Sequence, residues 1–586
     1  MSEGHPNATR SRLASPLTNA LDDGRVWLAI AMGLATLVAL VYYLTHPYPA
    51  FGAGLYLKIA ERVLANGYQP PTAITGYTNS GVPFAYPPLN YYFVAVLIDV
   101  GFDPLTISRV VPVAMSVLYL IPFFYLVREV LGSVRQAGLA TVVLTVTPVV
   151  LQWHISAGGI VRGPAFFLLL SGLFCGVKLF ERGRRWLPPA VALFGLTILA
   201  HPTYTAFYGV SYLLLFAVRG RSWRGLVNGA AVAAGGLLLS APWWLGVAMV
   251  HGPARLTGAA ATHGGIGGTP GAVLGKFVDL IIQPVNPMSL WYVLAILGSV
   301  YLLWRRRPLV PAWFLAGAIL MGEPRFSFVP GAMAIAVLLA AAPPFRFTRT
   351  GRHPAIRLGA SSVLAVVLGF MIVSGGLYAA GTPLTGNPSL PAFIDDDDME
   401  AMEWVYFNTR QDATFVTLGD AAEWFPLLSD RTIAVGPWGV EWKTPDKYRH
   451  QLGLFNFLSK CPNENCLSAV MERRDVQPDY LYIPKGEYTI RGFEQDQSAE
   501  MRTSLVESDE YRLVHENEGV MIFEVRDRPN GGNGQGGGGG GDAGGQGRLG
   551  APGSGSLGSG PVRVERARRN RVGYQLSGGR ILAVGV

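Results

Sequence analysis

The stretch at positions 49–67, PAFGAGLYLKIAERVLANG, follows directly on the first long apolar run of the chain. It is too polar to cross a membrane and too regular to be a simple linker. Its apolar side chains recur at helical spacing, at Leu55, Tyr56, Ile59, Ala60, Val63 and Leu64. Its charged side chains share the other side, at Lys58, Glu61 and Arg62. This pattern predicts a helix that lies flat at a membrane surface with one apolar face toward the membrane.

The composition of the whole chain agrees with a membrane location. Half of the 586 residues are hydrophobic and only 15% are charged, which is typical of an integral membrane protein. The polar start at 1–25 leads into the first apolar run without a small-residue cleavage site. The sequence therefore predicts an uncleaved first span behind a short N-terminal segment.

Apolar runs predict about eleven membrane spans, at approximately 26–45, 107–127, 136–151, 162–180, 187–201, 203–218, 226–250, 288–304, 309–322, 326–343 and 358–379. With the N-terminus inside, eighteen arginines fall on the inner segments, whereas the longer outer loops carry seven Lys or Arg residues. Because cations favour the cytoplasmic side, this predicts a cytoplasmic N-terminus and an external segment at 380–528. The run at 86–101 is interpreted as a short helix inside the first external loop, 46–106, because an extra span there would reverse all later segments.

The formal net charge of +8 conceals three unlike regions, since it is +16 over 1–379, −13 over 380–528 and +5 over 529–586. The basic excess follows the inner loops, so it indicates topology rather than a nucleic-acid partner. The acidic region alternates helix and strand patterns, from DDDDMEAMEWVYFNT to a hairpin in YRLVHENEGVMIFEV. The predicted fold is therefore a mostly α-helical, polytopic membrane protein with an external α/β domain. The glycine-rich tail is predicted to be disordered.

The cysteines leave one question open. Cys461 and Cys466, in KCPNENCL, either close a small disulfide loop on an oxidising exterior or remain two free thiols. Cys175 lies in an apolar run, where packing is the expected role. The neighbourhood of the cysteine pair supplies no two further zinc ligands, so no metal site is expected.

The first external loop carries the residues that resemble a known family. An N-terminal span, the flat helix GLYLKIAERVLANGY and the segment GVPFAYPPLNYY are similar to the C-type (GT-C) membrane glycosyltransferases. The second external turn PVVLQWHISAGGIVRGP, the pair His201 and Pro202, and the segment GEPRFSFVP are similar as well. The resemblance covers about residues 20–380. It implies an enzyme of the plasma membrane that takes a sugar from a polyprenyl-phosphate lipid and passes it to an envelope glycan, lipid or protein.

The resemblance also implies what is not needed. The lipid-linked sugar is itself the donor, so no separate cofactor is expected. The glycines in HGGIGGTPG lack the strand–turn–helix context and the lysine of a phosphate-binding loop. Transfer to asparagine is not expected, because the chain offers GPWGVEW where oligosaccharyltransferases have a WWDYG motif.

The sequence departs from the family's pattern at the expected catalytic acid. The family usually presents an Asp three or four residues before the tyrosine of the flat helix, where this chain has Gly52 and Ala53. Glu61 is the nearest replacement and the candidate general base. The alternative for Glu61 is a surface ion pair with Lys58 or Arg62. The runner-up function is therefore a non-catalytic relative that binds lipid or glycan and serves in envelope assembly.

Further polar residues near the outer face are candidates for substrate binding, namely Arg325, Arg162, His201, His154 and Tyr86. Either arginine could hold the lipid phosphate. The alternatives are a structural ion pair with Glu323 for Arg325 and interfacial snorkelling for Arg162. The alternative for each histidine is a packing role with its hydrogen bonds satisfied.

Overall fold

The computed structural model describes residues 23–256, 288–341, 360–382 and 388–526. The predicted disordered tail lies outside the described residues, as do most of the predicted cytoplasmic start and the segment HGGIGGTPG. The domain boundaries drawn from the sequence stay predictions. Within the described residues, the helices come first and the sheet follows.

Sixteen described helices precede the C-terminal region. Helices α1 to α8 are Gly24–Thr45, Gly54–Ala65, Leu89–Asp99, Pro104–Leu118, Leu120–Leu131, Val134–Thr145, Pro148–Ile155 and Gly159–Arg182. Helices α9 to α16 are Leu187–Ala200, Pro202–Arg219, Trp223–Leu239, Ala241–His251, Ser289–Trp304, Leu309–Ile319, Pro324–Ala341 and Ala360–Ala379. Several of them begin at a proline, which fits the first turn of a helix because its missing N–H has no partner there in any case.

The described helices confirm fewer spans than the sequence predicts. By length and composition, five described helices can cross a membrane: α1, Pro104–Leu131, α8, α15 and Ser362–Ala379. The pairs α6–α7 and α11–α12 are bent by 64° and 56°, and they raise the count to seven if each pair is one span. Other predicted spans are shorter helices, such as α9 with 14 residues. The structure therefore supports five to seven spans and does not confirm eleven.

The stretch at 49–67 forms a helix, α2, as its periodicity predicts. Its apolar side packs on α3, and Leu57, Ile59, Ala60 and Val63 are fully buried. The expectation of an exposed charged side is wrong at Lys58, which is only 4% exposed. The C-terminal region covers that side, because Lys58 Nζ lies 2.8 Å from Asp430 Oδ1. Both sides of α2 are therefore packed within the protein.

The C-terminal region is built on a five-stranded mixed sheet. Its strands are β3 Thr414–Thr417, β4 Thr432–Ile433, β5 Tyr480–Pro484, β8 Tyr511–Glu516 and β9 Val520–Val525, in the order β4-β3-β5-β9-β8. Strand β3 is parallel to both of its neighbours, and β9 is antiparallel to both of its own. Two hairpins lie apart from this sheet, β1 Ala73–Ile74 with β2 Val82–Pro83 and β6 Glu487–Ile490 with β7 Phe493–Asp496. The second hairpin has no counterpart in the sequence prediction.

Five helices accompany the sheet: α17 Asp396–Asn408, α18 Phe425–Leu428, α19 Pro445–Ser459, α20 Glu464–Arg473 and α21 Ala499–Glu507. The acidic run opens α17, where the side chain of Asp395 accepts from Asp398 N and Asp398 accepts from Asp395 N. Such a reciprocal cap satisfies donors that a helix start leaves free, and its charge suits the positive end of the helix. Cys461 and Cys466 form a disulfide, which answers the question left open by the sequence.

The loop at 46–106 (the first loop) and the C-terminal region share one hydrophobic core. Ile433, the last residue of β4, donates its backbone N–H to Gly76 O at 2.9 Å. This hydrogen bond joins the loop to the edge of the sheet. The Trp424 indole donates to Phe51 O at 3.3 Å, beside the start of α2. Residues of the C-terminal region are therefore held directly against the N-terminal end of α2.

Candidate active site

Arg325 lies at the start of α15 and is only 4% exposed. Its guanidinium stacks on Trp153, with Cζ 4.5 Å from the ring centroid. Nη1 lies 3.2 Å from Glu323 Oε2, so the ion pair considered from the sequence is present. Even so, Nε and Nη1 make no hydrogen bond to any residue that the structure describes. Arg325 is thus a buried cation with unused donors.

Arg162 approaches the same indole from α8. Its Cζ lies 4.7 Å from the centroid of the Trp153 ring. The side chain is half-buried, and its Nη1 occupies the space beside Gly158, where a Cβ would lie 1.8 Å away. The structure therefore brings together the two arginines that the sequence proposed as phosphate ligands.

The two candidate histidines both contact Tyr204, and the Tyr204 ring in turn lies beside Arg325. His154 is fully buried, with Nδ1 2.7 Å from Val150 O and Nε2 2.8 Å from the Tyr204 hydroxyl. Because a carbonyl can only accept, Nδ1 carries the proton and Nε2 accepts from the tyrosine. His201 precedes α10, and its ring lies 5.0 Å from that of Tyr204. These contacts support the packing alternative for His154.

Tyr86 anchors a cluster of aromatic rings in the first external loop. Its ring lies 5.0 Å from Trp442 and 5.7 Å from Tyr91, and its hydroxyl donates to Glu441 Oε1 at 2.5 Å. Glu441 and Trp442 belong to GPWGVEW, the segment that the sequence compared unfavourably with an oligosaccharyltransferase motif. That segment nonetheless reaches the first loop and places a carboxylate there.

A second carboxylate from the C-terminal region, Glu423, lies against the start of α2. It ends a short 3₁₀ helix, Asp420–Glu423, and is 8% exposed. A Cβ on Gly52 would lie 1.8 Å from Glu423 Oε2, and one on Gly54 would lie 2.2 Å from the Glu423 carbonyl oxygen. Burial, together with the nearby Asp420 carboxylate, raises the pKa of Glu423 to about 8.

Glu61, the base proposed from the sequence, lies in a different setting. Its Oε2 is 3.4 Å from Lys58 Nζ, and Lys58 also bridges to Asp430. Burial raises the pKa of Glu61, and the Lys58 ammonium opposes that shift. The described contacts match the ion-pair alternative, and a catalytic role for Glu61 stays a prediction.

Tyr56, on the flat helix, marks where the charged groups converge. It interacts electrostatically with Arg162, Glu423, Glu441 and Arg325. Sequence reasoning found both arginines because ionisable residues are rare among apolar spans. It missed the two glutamates, because acids are ordinary in an external domain. The available signal was the pair of glycines beside the tyrosine, since glycine often marks a close approach of another group. No cluster of three metal-ligating side chains occurs among the described residues.

Comparison with known proteins gives structural matches at low sequence identity. No family model and no curated protein sequence matches the chain. The apo crystal structure of an oligosaccharyltransferase from Archaeoglobus fulgidus matches with a TM-score of 0.53 at 14% identity, over 79% of this chain and 69% of that one. ArnT from Cupriavidus metallidurans matches with a TM-score of 0.52 at 15% identity, over 85% of this chain and 97% of that one.

A third match is the arabinofuranosyltransferase AftD from Mycobacteria, with a TM-score of 0.52 at 13% identity. It covers 86% of this chain and 42% of AftD. The resemblance read from the first external loop is thereby confirmed at the level of the fold. The chain has the fold of the GT-C membrane glycosyltransferases.

Proposed function

We propose that this protein is a membrane glycosyltransferase that transfers a sugar or small glycan from a polyprenyl-phosphate donor to an envelope glycan, lipid or protein. The transfer takes place on the outer face of the plasma membrane, and the lipid-linked sugar is the only donor required. The observation that carries the proposal is the buried Arg325 guanidinium, whose Nη1 lies 3.2 Å from Glu323 Oε2 and whose Nε makes no hydrogen bond to any described residue.

The electrostatics of the paired arginines favour a phosphate ligand. A buried donor without a partner costs about 1–3 kcal/mol, and more for a charged group, so an anion there would relieve a real penalty. Arg162 and Arg325 stack on one indole, and the Glu323 carboxylate beside Arg325 balances only one of the two positive charges. A guanidinium fork matches the spacing of phosphate oxygens.

The structural neighbours support a lipid phosphate as that anion. The ArnT structure contains undecaprenyl phosphate, and an oligosaccharyltransferase from Archaeoglobus fulgidus, with a TM-score of 0.51, was solved with dolichol-phosphate. In a membrane protein, a phosphate carried on a polyprenol reaches a site beside apolar helices without leaving the bilayer. The exposed apolar residues of the helices, such as Leu238 and Met249, offer a surface for such chains.

Turnover is the direct test. Purified protein in lipid nanodiscs is incubated with polyprenyl-phosphate hexoses and pentoses, and release of polyprenyl phosphate is measured with and without cell-envelope extract as acceptor. We expect release that depends on the acceptor and is lost in Arg325→Ala. Absence of turnover with every donor, together with no binding of polyprenyl phosphate, would overturn the proposal.

The second candidate function is a non-catalytic protein that binds a lipid-linked glycan. It is favoured by Gly52 and Ala53, which stand where the first loop of the related enzymes supplies an acid. The same experiment separates the two functions. Binding of polyprenyl phosphate without turnover of any donor supports the second candidate.

A further inference from the structure

We propose that Glu423 supplies the missing carboxylate and is the general base. This side chain of the C-terminal domain takes the proton of the acceptor hydroxyl at a position where the first loop has only glycine and alanine. This inference rests on the proposed transferase function and assigns its general base. The residue reaches the site by tertiary packing and lies hundreds of positions from the flat helix in the sequence.

The packing at Gly52 shows that the carboxylate occupies side-chain space of the first loop. An added Cβ at Gly52 would lie 1.8 Å from Glu423 Oε2 and 2.0 Å from Cδ. The φ angle of Gly52 is not in the left-handed region that favours glycine, so the backbone would accept another residue. The neighbouring carboxylate therefore occupies the space that a side chain at this position would fill.

Hydrogen bonds to the first loop fix the backbone around Glu423. The Tyr77 hydroxyl donates to the Glu423 carbonyl at 2.6 Å, and the Cβ position of Gly54 lies 2.2 Å from the same oxygen. Trp424, the next residue, donates from its indole to Phe51 O. The two hydrogen bonds hold the backbone at Glu423 and Trp424 against the first loop, which limits where the Glu423 carboxylate can lie.

The charges that face Glu423 leave it a base rather than a permanent ion pair. Burial and the Asp420 carboxylate disfavour its charged form, whereas the side chains that favour it are Arg491, Arg162 and Trp438. Asp420 is itself occupied, because it accepts from Arg491 N at 2.9 Å and Gly492 N at 2.7 Å. Arg162 also stacks on the Trp153 ring, as Arg325 does. Glu423 therefore lies within electrostatic reach of Arg162, one of the two arginines assigned to the donor phosphate.

The step balances without any further reactant. The acceptor oxygen forms a bond to the anomeric carbon while the bond from that carbon to the phosphate oxygen breaks. The acceptor's proton passes to the Glu423 carboxylate. The leaving polyprenyl phosphate takes the electron pair of the broken bond, and Arg325 faces the charge that develops on it. Glu423 then returns its proton to solvent.

Moving the carboxylate from position 423 to position 52 tests the assignment of Glu423 as the base. In nanodiscs, turnover and polyprenyl-phosphate binding are measured for Glu423→Gln, Glu423→Ala, Gly52→Asp and the double variant Gly52→Asp/Glu423→Ala. A positioned base contributes about 10²–10⁴-fold, so both single Glu423 variants should lose that much in kcat while binding of polyprenyl phosphate is kept. Gly52→Asp should fail because of the clash, and the double variant should recover at least tenfold over Glu423→Ala.

A matched control is Asp398→Asn, which neutralises a half-buried carboxyl of the same domain. Its Oδ1 accepts from the Tyr482 hydroxyl at 2.6 Å, in the cap of α17. Per folded molecule, its turnover should equal that of the wild type. A Glu423→Gln protein with wild-type turnover overturns this assignment alone. A wild type that turns over no donor overturns the proposed function and the assignment together.

Discussion

Arg162 and Arg325 stack on the same indole, with their Cζ atoms 4.7 and 4.5 Å from the centroid of the Trp153 ring. The two side chains come from α8 and α15, which are separate in sequence. The aromatic ring attracts each cation by its negative face. Of the two arginines on this ring, only Arg325 is buried.

Removal of Arg325 should weaken binding of the donor. Hydrogen bonds to charged groups are worth about 1.5–3 kcal/mol, so Arg325→Ala should raise the Kd for polyprenyl phosphate about 10–100-fold. Arg325→Lys should recover only part of the loss, because an ammonium keeps the positive charge but lacks the planar fork of a guanidinium. Native mass spectrometry of the protein with polyprenyl phosphate measures this. The control is Arg109→Ala, since Arg109 also stacks on a tyrosine but its guanidinium donates to Tyr43 O and His46 O.

The pH dependence of turnover should follow Glu423. A general base acts in its charged form, and burial raises the pKa of Glu423 to about 8. We therefore expect kcat to rise about tenfold per pH unit below pH 8 and to level off above it. In Glu423→Gln the residual rate should lose this limb, whereas Asp398→Asn should keep it. The same ascending limb in Glu423→Gln would assign the titration to another group.

Stability should change with Glu423 in the opposite sense to activity. Its folded-state pKa lies above its unfolded value, so the stabilisation from its protonated form is full below about pH 4.5 and is lost as pH rises toward 8. Gln cannot ionise and avoids that loss. Glu423→Gln should therefore unfold at a higher temperature than the wild type at pH 8 and at nearly the same temperature at pH 4.5. Destabilisation at pH 8 would point to a purely structural role.

The ion pair between Lys58 and Asp430 should hold the flat helix to the C-terminal domain. Lys58 is buried, while the Asp430 side chain is partly exposed, so loss of the pair should cost about 1–2 kcal/mol. Lys58→Met should lower the unfolding temperature, measured by differential scanning fluorimetry in detergent. Glu61→Gln in the same assay should cost less, because Glu61 lies 3.4 Å from the ammonium.

The turnover of Glu61→Gln separates the two candidate bases. A loss of 10²–10⁴-fold is expected if Glu61 is the base, as proposed from the sequence. We expect a smaller loss than in Glu423→Gln, since Glu423 is the carboxylate that interacts with Arg162. Equal or greater loss in Glu61→Gln would return the assignment to the flat helix.

Cysteine labelling tests the membrane orientation that the arginine distribution predicts. In a background without native cysteines, Asp446→Cys should react with an impermeant maleimide in intact cells, because its side chain is 89% exposed in the C-terminal domain. Arg305→Cys, in the loop between α13 and α14, should react only after the membrane is opened. The reverse pattern would place the candidate site on the cytoplasmic side and contradict the proposed function.

The sequence by itself determined the elements that depend on nearby residues. Apolar runs set where the helices of the first 380 positions form, and the period of the stretch at 49–67 set α2. The acidic run at Asp395 to Asp398 determined the start of α17, since a helix cap involves only its own first turn. Arg162 and Arg325 could also be picked out, because a charge among apolar neighbours is visible without a structure.

Only the tertiary structure decided which carboxylate lies against the start of α2. Glu61 lies on the same short helix as Tyr56, so sequence proximity favoured it. Glu423 instead reaches Gly52 because the C-terminal domain adds the first loop to the edge of its sheet, through Gly76 and Ile433. Burial of a carboxyl group and the resulting change in its pKa depend on every element packed around it. The eleven predicted spans are not confirmed, because helix length also depends on tertiary structure, and some predicted spans form short helices, such as α9 with 14 residues and α14 with 11.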